Sequence, residues 1–260
     1  MPNSDNPKVQ SDGSKPKAAN LEPTPILDHE KSAIRDLTSS FGSQQKADRL
    51  FLQQAHRRLK EILTPVYSLD ELQPTSCTLR QGKGSCSQRM ACLESASRAC
   101  GIPTRARILL VSGRFWYPRF RLFRMFVPKS IVLVWPQFFL ENAWLDFDEL
   151  YLPAKKLAEK AVNAFTNDGE SIFDAVDHMP VDFMAKTCGP NCAPSRFDLS
   201  KFILADKGFL DTRDEVFRRY GSFHTTLTGR MFGLIYGGRA SSQSLHFPDG
   251  EKINQAISAQ

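Results

Sequence analysis

A cysteine that opens a predicted helix is the feature that most constrains how this 260-residue chain folds. The run Gly82-Lys83-Gly84-Ser85 indicates a tight turn, and the apolar spacing after it predicts an amphipathic helix over Cys86–Cys100. Gly101 and Pro103 end this helix, because glycine favours the left-handed position after a helix and proline cannot continue one. Residues 105–113 then predict a strand. The chain therefore sets a cysteine-bearing helix directly before a sheet.

The residues after this strand predict an antiparallel hairpin. Its strands are expected over Ile131–Leu140 and Ala143–Phe147, with the turn at Glu141-Asn142. Amphipathic spacing and a capping box predict further helices over Lys46–Leu63, over Ala154–Phe165 and after Thr212. Helices come first, then strands, then helices again, and this order favours the α+β class.

Composition indicates a globular protein, with 41% hydrophobic and 24% charged residues. No apolar run is long enough to span a membrane, and the first residues lack the pattern of a secretory signal, so we expect a soluble, cytoplasmic protein. Residues 1–28 are polar and rich in proline and predict a disordered tail. The folded domain is expected over 29–240, with a second tail over 241–260.

The positive charge is concentrated in one window. The chain carries a net charge of +6, and residues 95–140 contain no Asp or Glu. The basic residues of this window are Arg98, Arg105, Arg107, Arg114, Arg119, Arg121, Arg124 and Lys129. Such a cluster favours an anionic partner, namely a carboxylate or phosphate substrate, a carrier protein or an RNA. Alternatively, several of these arginines pair with Asp146, Asp148 and Glu149.

Cys86 is a candidate nucleophile because of its position at the start of the helix. Free backbone N–H groups and the positive end of the helix dipole stabilise an anion there, which predicts a lowered pKa for the thiol. The alternative is that Cys86 is a small buried apolar residue, as most lone cysteines are.

Four ordered segments together resemble the transglutaminase-like superfamily, which has a papain-like core. They are Gly84-Ser85-Cys86, Gly101-Ile102-Pro103-Thr104-Arg105, Leu133-Val134-Trp135 and Trp144-Leu145-Asp146-Phe147-Asp148. Residues 113–118 and 197–220 look like segments of a smaller microbial branch. The resemblance implies a helix that carries the cysteine at its N-terminus, packed on a small antiparallel sheet, with a helical C-terminal part.

The resemblance also implies a Cys-His-Asp triad. Cys86 matches the nucleophile and Asp148 the orienting carboxylate, with Asp146 as the nearby alternative. The histidine position falls on Leu133, which has no lone pair and cannot act as a base.

Three interpretations of the missing histidine stay open. Another group takes the proton, such as His178, His224, Tyr117 or a substrate amine, whereas His56 lies among basic residues and is expected to be solvated. In the second interpretation an activated acyl donor, such as a thioester, reacts without a histidine. In the third the domain is a non-catalytic binding module.

The predicted function is thiol-dependent acyl transfer that forms or cleaves an amide, in small-molecule biosynthesis. The expected partner is an anionic or carrier-bound acyl substrate, carried by a carrier protein, coenzyme A or a transfer RNA. The candidate substrate-binding residues are Arg105, Arg107, Arg114, Trp116, Tyr117 and Trp135.

Other motifs indicate no cofactor. There is no phosphate-binding loop and no Gly-x-Gly-x-x-Gly pattern, and no DNA-binding motif predicts specific DNA recognition. Cys188 and Cys192 form a CxxxC pair, but no second ligand pair follows at zinc-site spacing, so we predict no metal.

Overall fold

The computed structural model describes residues 14–41, 48–120, 124–187 and 196–221. The α-helices in these ranges are α1 (Ser32–Ser39), α2 (Arg49–Ile62), α3 (Thr75–Gln81), α4 (Cys86–Ala99), α5 (Ala154–Lys160), α6 (Ile172–Ala175) and α7 (Arg213–Tyr220). The strands are β1 (Thr64–Pro65), β2 (Lys83–Gly84), β3 (Thr104–Ser112), β4 (Ser130–Leu140), β5 (Ala143–Asp146) and β6 (Ile203–Leu210). The mixture of helices with an antiparallel sheet confirms the predicted α+β class.

The main sheet has the strand order β5-β4-β3-β6, and all its neighbours are antiparallel. β3 and β4 pair without interruption from Thr104↔Phe138 to Ser112↔Ser130. The predicted β4–β5 hairpin is confirmed, with Glu141 and Asn142 between the strands at φ angles of 55° and 61°. Two positive φ values fit the right-handed twist of the strands.

Helix α4 is the buried centre of the domain and begins at Cys86. Eleven of its fourteen residues are buried, and it packs against α1, α2 and α3 as well as against β3 and β4. Its buried charges are paired, since Arg89 meets Asp174 at 2.5 Å. In the same way Glu94 meets the buried Arg213 of α7 at 2.6 Å. These pairs offset the cost of burying charge and fix the rotation of α4.

The end of the predicted tail packs on the domain, although most of residues 14–25 is exposed. Ile26 and Leu27 are 2% and 0% exposed. The Arg98 side chain of α4 donates to the carbonyl oxygen of Glu22 at 2.7 Å. The composition of the segment as a whole predicts disorder, because its few buried apolar residues are outnumbered by polar ones.

The C-terminal part is not wholly helical, because β6 adds a strand to the β3 edge. β6 pairs from Ala106↔Leu210 to Val111↔Ile203, with register shifts between these ends. Helix α7 then begins with Thr212 as its cap, since the Thr212 side chain accepts from the backbone N–H of Glu215 at 3.1 Å.

The outer limits predicted for the domain remain predictions. Residues 1–13 and 222–260 lie outside the described part of the chain, and so does the predicted tail over 241–260.

None of the helices in the described ranges combines the length and the hydropathy that crossing a membrane requires.

Candidate active site

Cys86 is the first residue of α4, as the sequence predicts. Ser85 caps the helix, and its hydroxyl accepts from the backbone N–H of Gln88 at 3.2 Å. The Gln88 side chain accepts in return from the backbone N–H of Ser85 at 2.8 Å. This reciprocal capping box satisfies two backbone donors and fixes where the chain enters the helix. The position of the Cys86 sulfur is therefore set by local sequence.

The turn before Cys86 is held by the two-stranded parallel pair β1–β2. Thr64 and Pro65 are in register with Lys83 and Gly84. A Cβ atom at Gly84 would lie 2.8 Å from the Thr78 methyl group. Glycine is needed there because α3 approaches so closely, rather than because of an unusual φ angle.

A cavity of about 550 Å³ opens beside the cysteine. Most of its lining is aliphatic or aromatic, which is typical of a site for a small organic ligand. The lining residues that matter most for chemistry are Cys86, Leu133, Trp116, Arg119, Asn167 and Glu71.

Leu133 lies in the same cavity as Cys86, and both pack against the same core cluster. In β4 Leu133 is opposite Leu109, and it is 8% exposed. The position that the resemblance assigns to a histidine is thus brought to the cysteine, but it holds an aliphatic side chain.

Asp148 is buried behind Trp135 and does not line the cavity. The Trp135 indole N–H donates to the Asp148 carboxylate at 3.2 Å. Burial raises the pKa of Asp148 to about 7, although the nearby Lys186 ammonium acts in the opposite direction. With Leu133 at the histidine position, the carboxylate orients an indole instead of an imidazole.

Asp146 belongs to a buried ion-pair network. It lies 3.1 Å from Arg107 and 2.8 Å from Lys186, and it accepts from Gln137 at 2.7 Å. Burial alone would raise the pKa of Asp146, but the charges of Lys186 and Arg107 outweigh it and hold the pKa below its usual value. Asp146 therefore stabilises the sheet and does not face Cys86.

The comparison with protein families found a match, which covers Cys86, Leu133 and Asp148. Residues 37–149 match the model of the transglutaminase-like superfamily. Over these residues the chain is similar to that superfamily. The match supports a cysteine-based acyl transfer or hydrolase kind of function. No curated protein and no solved structure shows a significant match to the chain.

The Cys86 sulfur is not activated in the way the sequence predicts. Burial raises the pKa of the Cys86 thiol to about 11, although a backbone hydrogen bond from Phe173 and the charge of Arg89 lower it. Arg119 also lowers this pKa, whereas Asp174 raises it. The predicted lowering of the Cys86 pKa was wrong, because the loss of hydration raises this pKa more than the helix N-terminus lowers it.

Two of the candidate substrate-binding arginines, Arg105 and Arg107, make internal contacts instead of facing the cavity. Arg105 stacks between the rings of Trp144 and Phe209, at 4.4 and 3.9 Å from their centroids. Arg107 pairs with Asp146 and with Asp206, so the alternative of internal pairing is confirmed for it. Neither Arg105 nor Arg107 lines the cavity.

Of the other four candidates, only Trp116 lines the cavity with Cys86 among the described residues. Tyr117 packs in a small cluster around Phe120, which lines the cavity itself. Arg114 is exposed, and Trp135 is buried at 2% exposure against Asp148.

No histidine among the described residues lines the cavity. His56 is fully buried rather than solvated, with contacts to the Tyr151 hydroxyl and, at 2.6 Å, to the carbonyl oxygen of Phe173. His178 pairs with Glu170 at 2.9 Å, outside the cavity. His224 and the pair Cys188 and Cys192 lie outside the described residues.

Three polar cavity residues are not identified by sequence reasoning. Arg119 is visible only as one member of the basic window. Its Nε donates to the Asn167 side-chain oxygen at 2.6 Å. The Glu71 carboxylate bonds to the Ser87 side chain, and burial raises the pKa of Glu71. No local pattern marks Glu71 or Asn167, because both reach the cavity through tertiary packing.

Proposed function

We propose that the chain is a thiol-dependent acyltransferase that takes an activated acyl group onto Cys86 and passes it to an amine, forming an amide. The observation that carries this proposal is the pair of residues at the cavity. Cys86 occupies the nucleophile position of a transglutaminase-like core, and the position of the usual base holds Leu133.

The missing base favours an activated donor over an amide substrate. Cleaving an amide expels an amine, which needs a proton from a general acid, whereas a thioester expels a stable thiolate. With Leu133 at the cavity, no imidazole among the described residues lines it to supply that proton. Transfer from a thioester therefore matches the side chains present better than hydrolysis of an amide does.

The reaction balances without a further reagent. The Cys86 sulfur forms a bond to the donor carbonyl carbon, the donor C–S bond breaks, and the donor thiol leaves with the cysteine proton. An acceptor amine then attacks the acyl-cysteine, the new C–S bond breaks, and the amine proton returns to Cys86.

The cavity and its surroundings support a small, carrier-bound acyl group. About 550 Å³ suits a small molecule, in keeping with small-molecule biosynthesis. Arg124 and Lys129 are exposed and lie within three residues of the lining residue Val127. Exposed cations beside the cavity favour a donor on an anionic carrier, such as an acidic carrier protein or coenzyme A.

A non-catalytic binding module is the second candidate, and two observations favour it. Leu133 replaces the base, and burial raises the pKa of Cys86 to about 11. A module of this kind would bind a small apolar ligand in the cavity and would need no reactive sulfur.

The two candidates differ in whether Cys86 becomes acylated. We expect short acyl-coenzyme A thioesters to add one acyl mass to the Cys86 peptide, as read by peptide mass mapping. Cys86→Ser should abolish the adduct, and Cys77→Ser, at another half-buried cysteine, should retain it. An unmodified Cys86 with every donor, in a protein that still binds the acyl group, would support the binding module.

A further inference from the structure

The cavity that Cys86 lines is also lined by a cation, Arg119, that no part of the proposed reaction has yet used. We propose that Arg119 is the counter-charge of the Cys86 thiolate, taking the electrostatic part of the role that an imidazolium has in a Cys-His site. This inference deepens the proposed function and rests on it for the identity of the nucleophile.

Arg119 is placed for this role by a rigid buried support. It lines the cavity together with Cys86 and is only 8% exposed. Its Nε donates to the Asn167 side-chain oxygen at 2.6 Å, and the Asn167 amide donates to the carbonyl oxygen of Phe115 at 2.8 Å. Asn167 is itself buried and has a φ angle of 57°, a conformation that asparagine tolerates better than most residues.

Other charged groups also act on the Cys86 sulfur. Arg89 on α4 and Asp174 on α6 both act on Cys86, but they pair with each other at 2.5 Å and largely offset one another. The backbone N–H of Phe173 faces the sulfur from α6. Glu71 also lines the cavity and can only disfavour a thiolate. Among the described residues that line the cavity, Arg119 is the basic side chain, and its charge favours a thiolate.

A guanidinium cannot take the place of a histidine completely, because it keeps its own protons at any ordinary pH. Arg119 stabilises the thiolate but does not accept the thiol proton, which leaves with the donor thiol. Since one group alone titrates, the reactivity of Cys86 should rise with pH along a single limb. A Cys-His pair would add a second limb.

The test measures the pH dependence of Cys86 alkylation by iodoacetamide, read by peptide mass mapping on the full chain. We expect Arg119→Gln to slow alkylation of Cys86 several-fold at a fixed pH below 10, because losing a positive charge on the cavity wall moves the titration of the thiol to higher pH. Arg119→Lys keeps the charge and should lose less. Arg35→Gln removes an exposed arginine of α1 that does not line the cavity and should match the wild type.

A second variant covers the case in which Arg119→Gln does not fold. Asn167→Gly removes the amide that holds Arg119 and accepts the positive φ angle, so it should also slow alkylation. Folded Arg119→Gln or Asn167→Gly protein that is alkylated at the wild-type rate would overturn the proposal.

The readout separates this inference from the proposed function because alkylation needs no acyl donor. An Arg119 effect without acylation by any thioester would refute the transferase and retain the counter-charge. Acylation of Cys86 with no Arg119 effect would refute the counter-charge alone.

Discussion

The side chain at position 133 lies in the same cavity as the Cys86 sulfur, and the proposed chemistry depends on both. Leu133 supplies packing but no lone pair, and the buried Asp148 accepts a hydrogen bond from the indole N–H of Trp135. At the scale of single residues, the cavity thus combines a cysteine at a helix start with an aliphatic side chain at the position that the resemblance assigns to a histidine.

Restoring a base at this position should activate the sulfur. We expect Leu133→His to speed alkylation of Cys86 at pH 7 at least about tenfold, because a neutral imidazole would take the thiol proton. The cost in stability should be about 1–3 kcal/mol, since a polar imidazole ring replaces a buried aliphatic side chain.

Val132→His is the matched control, because Val132 also lines the cavity but its side chain points to the opposite face of β4. Equal alkylation rates in wild type and in folded Leu133→His would contradict the alignment of Leu133 with a catalytic histidine.

Helix α4 shows which parts of the site local sequence determines. Its start at Cys86 is predictable because the turn before it and the reciprocal cap between Ser85 and Gln88 are contacts between near neighbours. The burial of α4 cannot be predicted from local sequence, because Arg89 and Glu94 pair with residues that are distant in the chain. Their partners are Asp174 and Arg213.

The segment before α4 offers a test at the scale of elements. We expect Gly84→Ala to destabilise the protein by about 1–3 kcal/mol, because the new Cβ would lie 2.8 Å from the Thr78 methyl group. Thr78→Ser removes that methyl group and keeps the hydroxyl that accepts from Gln73.

In a double-mutant cycle by urea unfolding, adding Thr78→Ser should recover part of the loss. Strictly additive effects of the two substitutions on the free energy of unfolding would show that there is no steric contact between positions 84 and 78.

Elements that depend on distant contacts were the ones the sequence did not predict. β6 contains Lys207 and Gly208, which interrupt a strand pattern, and it forms because β3 offers an open edge. α1 and α3 are short and are stabilised by packing on α4. The direction of the Cys86 pKa was missed for the same reason, because the desolvation comes from tertiary structure.

At the scale of the whole molecule, the domain buries one histidine in its core. His56 lies on α2 among aromatic rings, including Phe147 and Phe173. Burial lowers the pKa of His56 to about 4, so the folded protein holds it neutral where an unfolded chain would charge it. The free energy of unfolding should therefore be lower in acid than at neutral pH.

The sign of the pH effect follows from that difference. Above pH 6.5 His56 is neutral in both states, and as the pH falls from 6.5 towards 4 only the unfolded chain binds the proton. Between pH 7 and pH 5 we expect this residue to cost about 2 kcal/mol of unfolding free energy.

His56→Gln keeps polar atoms near Tyr151 and Phe173 but does not titrate. Urea unfolding at several pH values should show a smaller loss of stability between pH 7 and pH 5 in this variant than in the wild type. Parallel losses would mean that His56 is not held neutral in the folded state.

A pulse–chase on Cys86 tests the central claim most directly. The protein is first mixed with an acyl-coenzyme A thioester and freed of excess donor, and a primary amine is then added while intact mass is recorded. We predict an acyl adduct on the wild type and none on Cys86→Ser. The amine should remove the adduct and release one equivalent of amide. An adduct that never forms, or one that amine does not convert to amide, would contradict acyl transfer through Cys86.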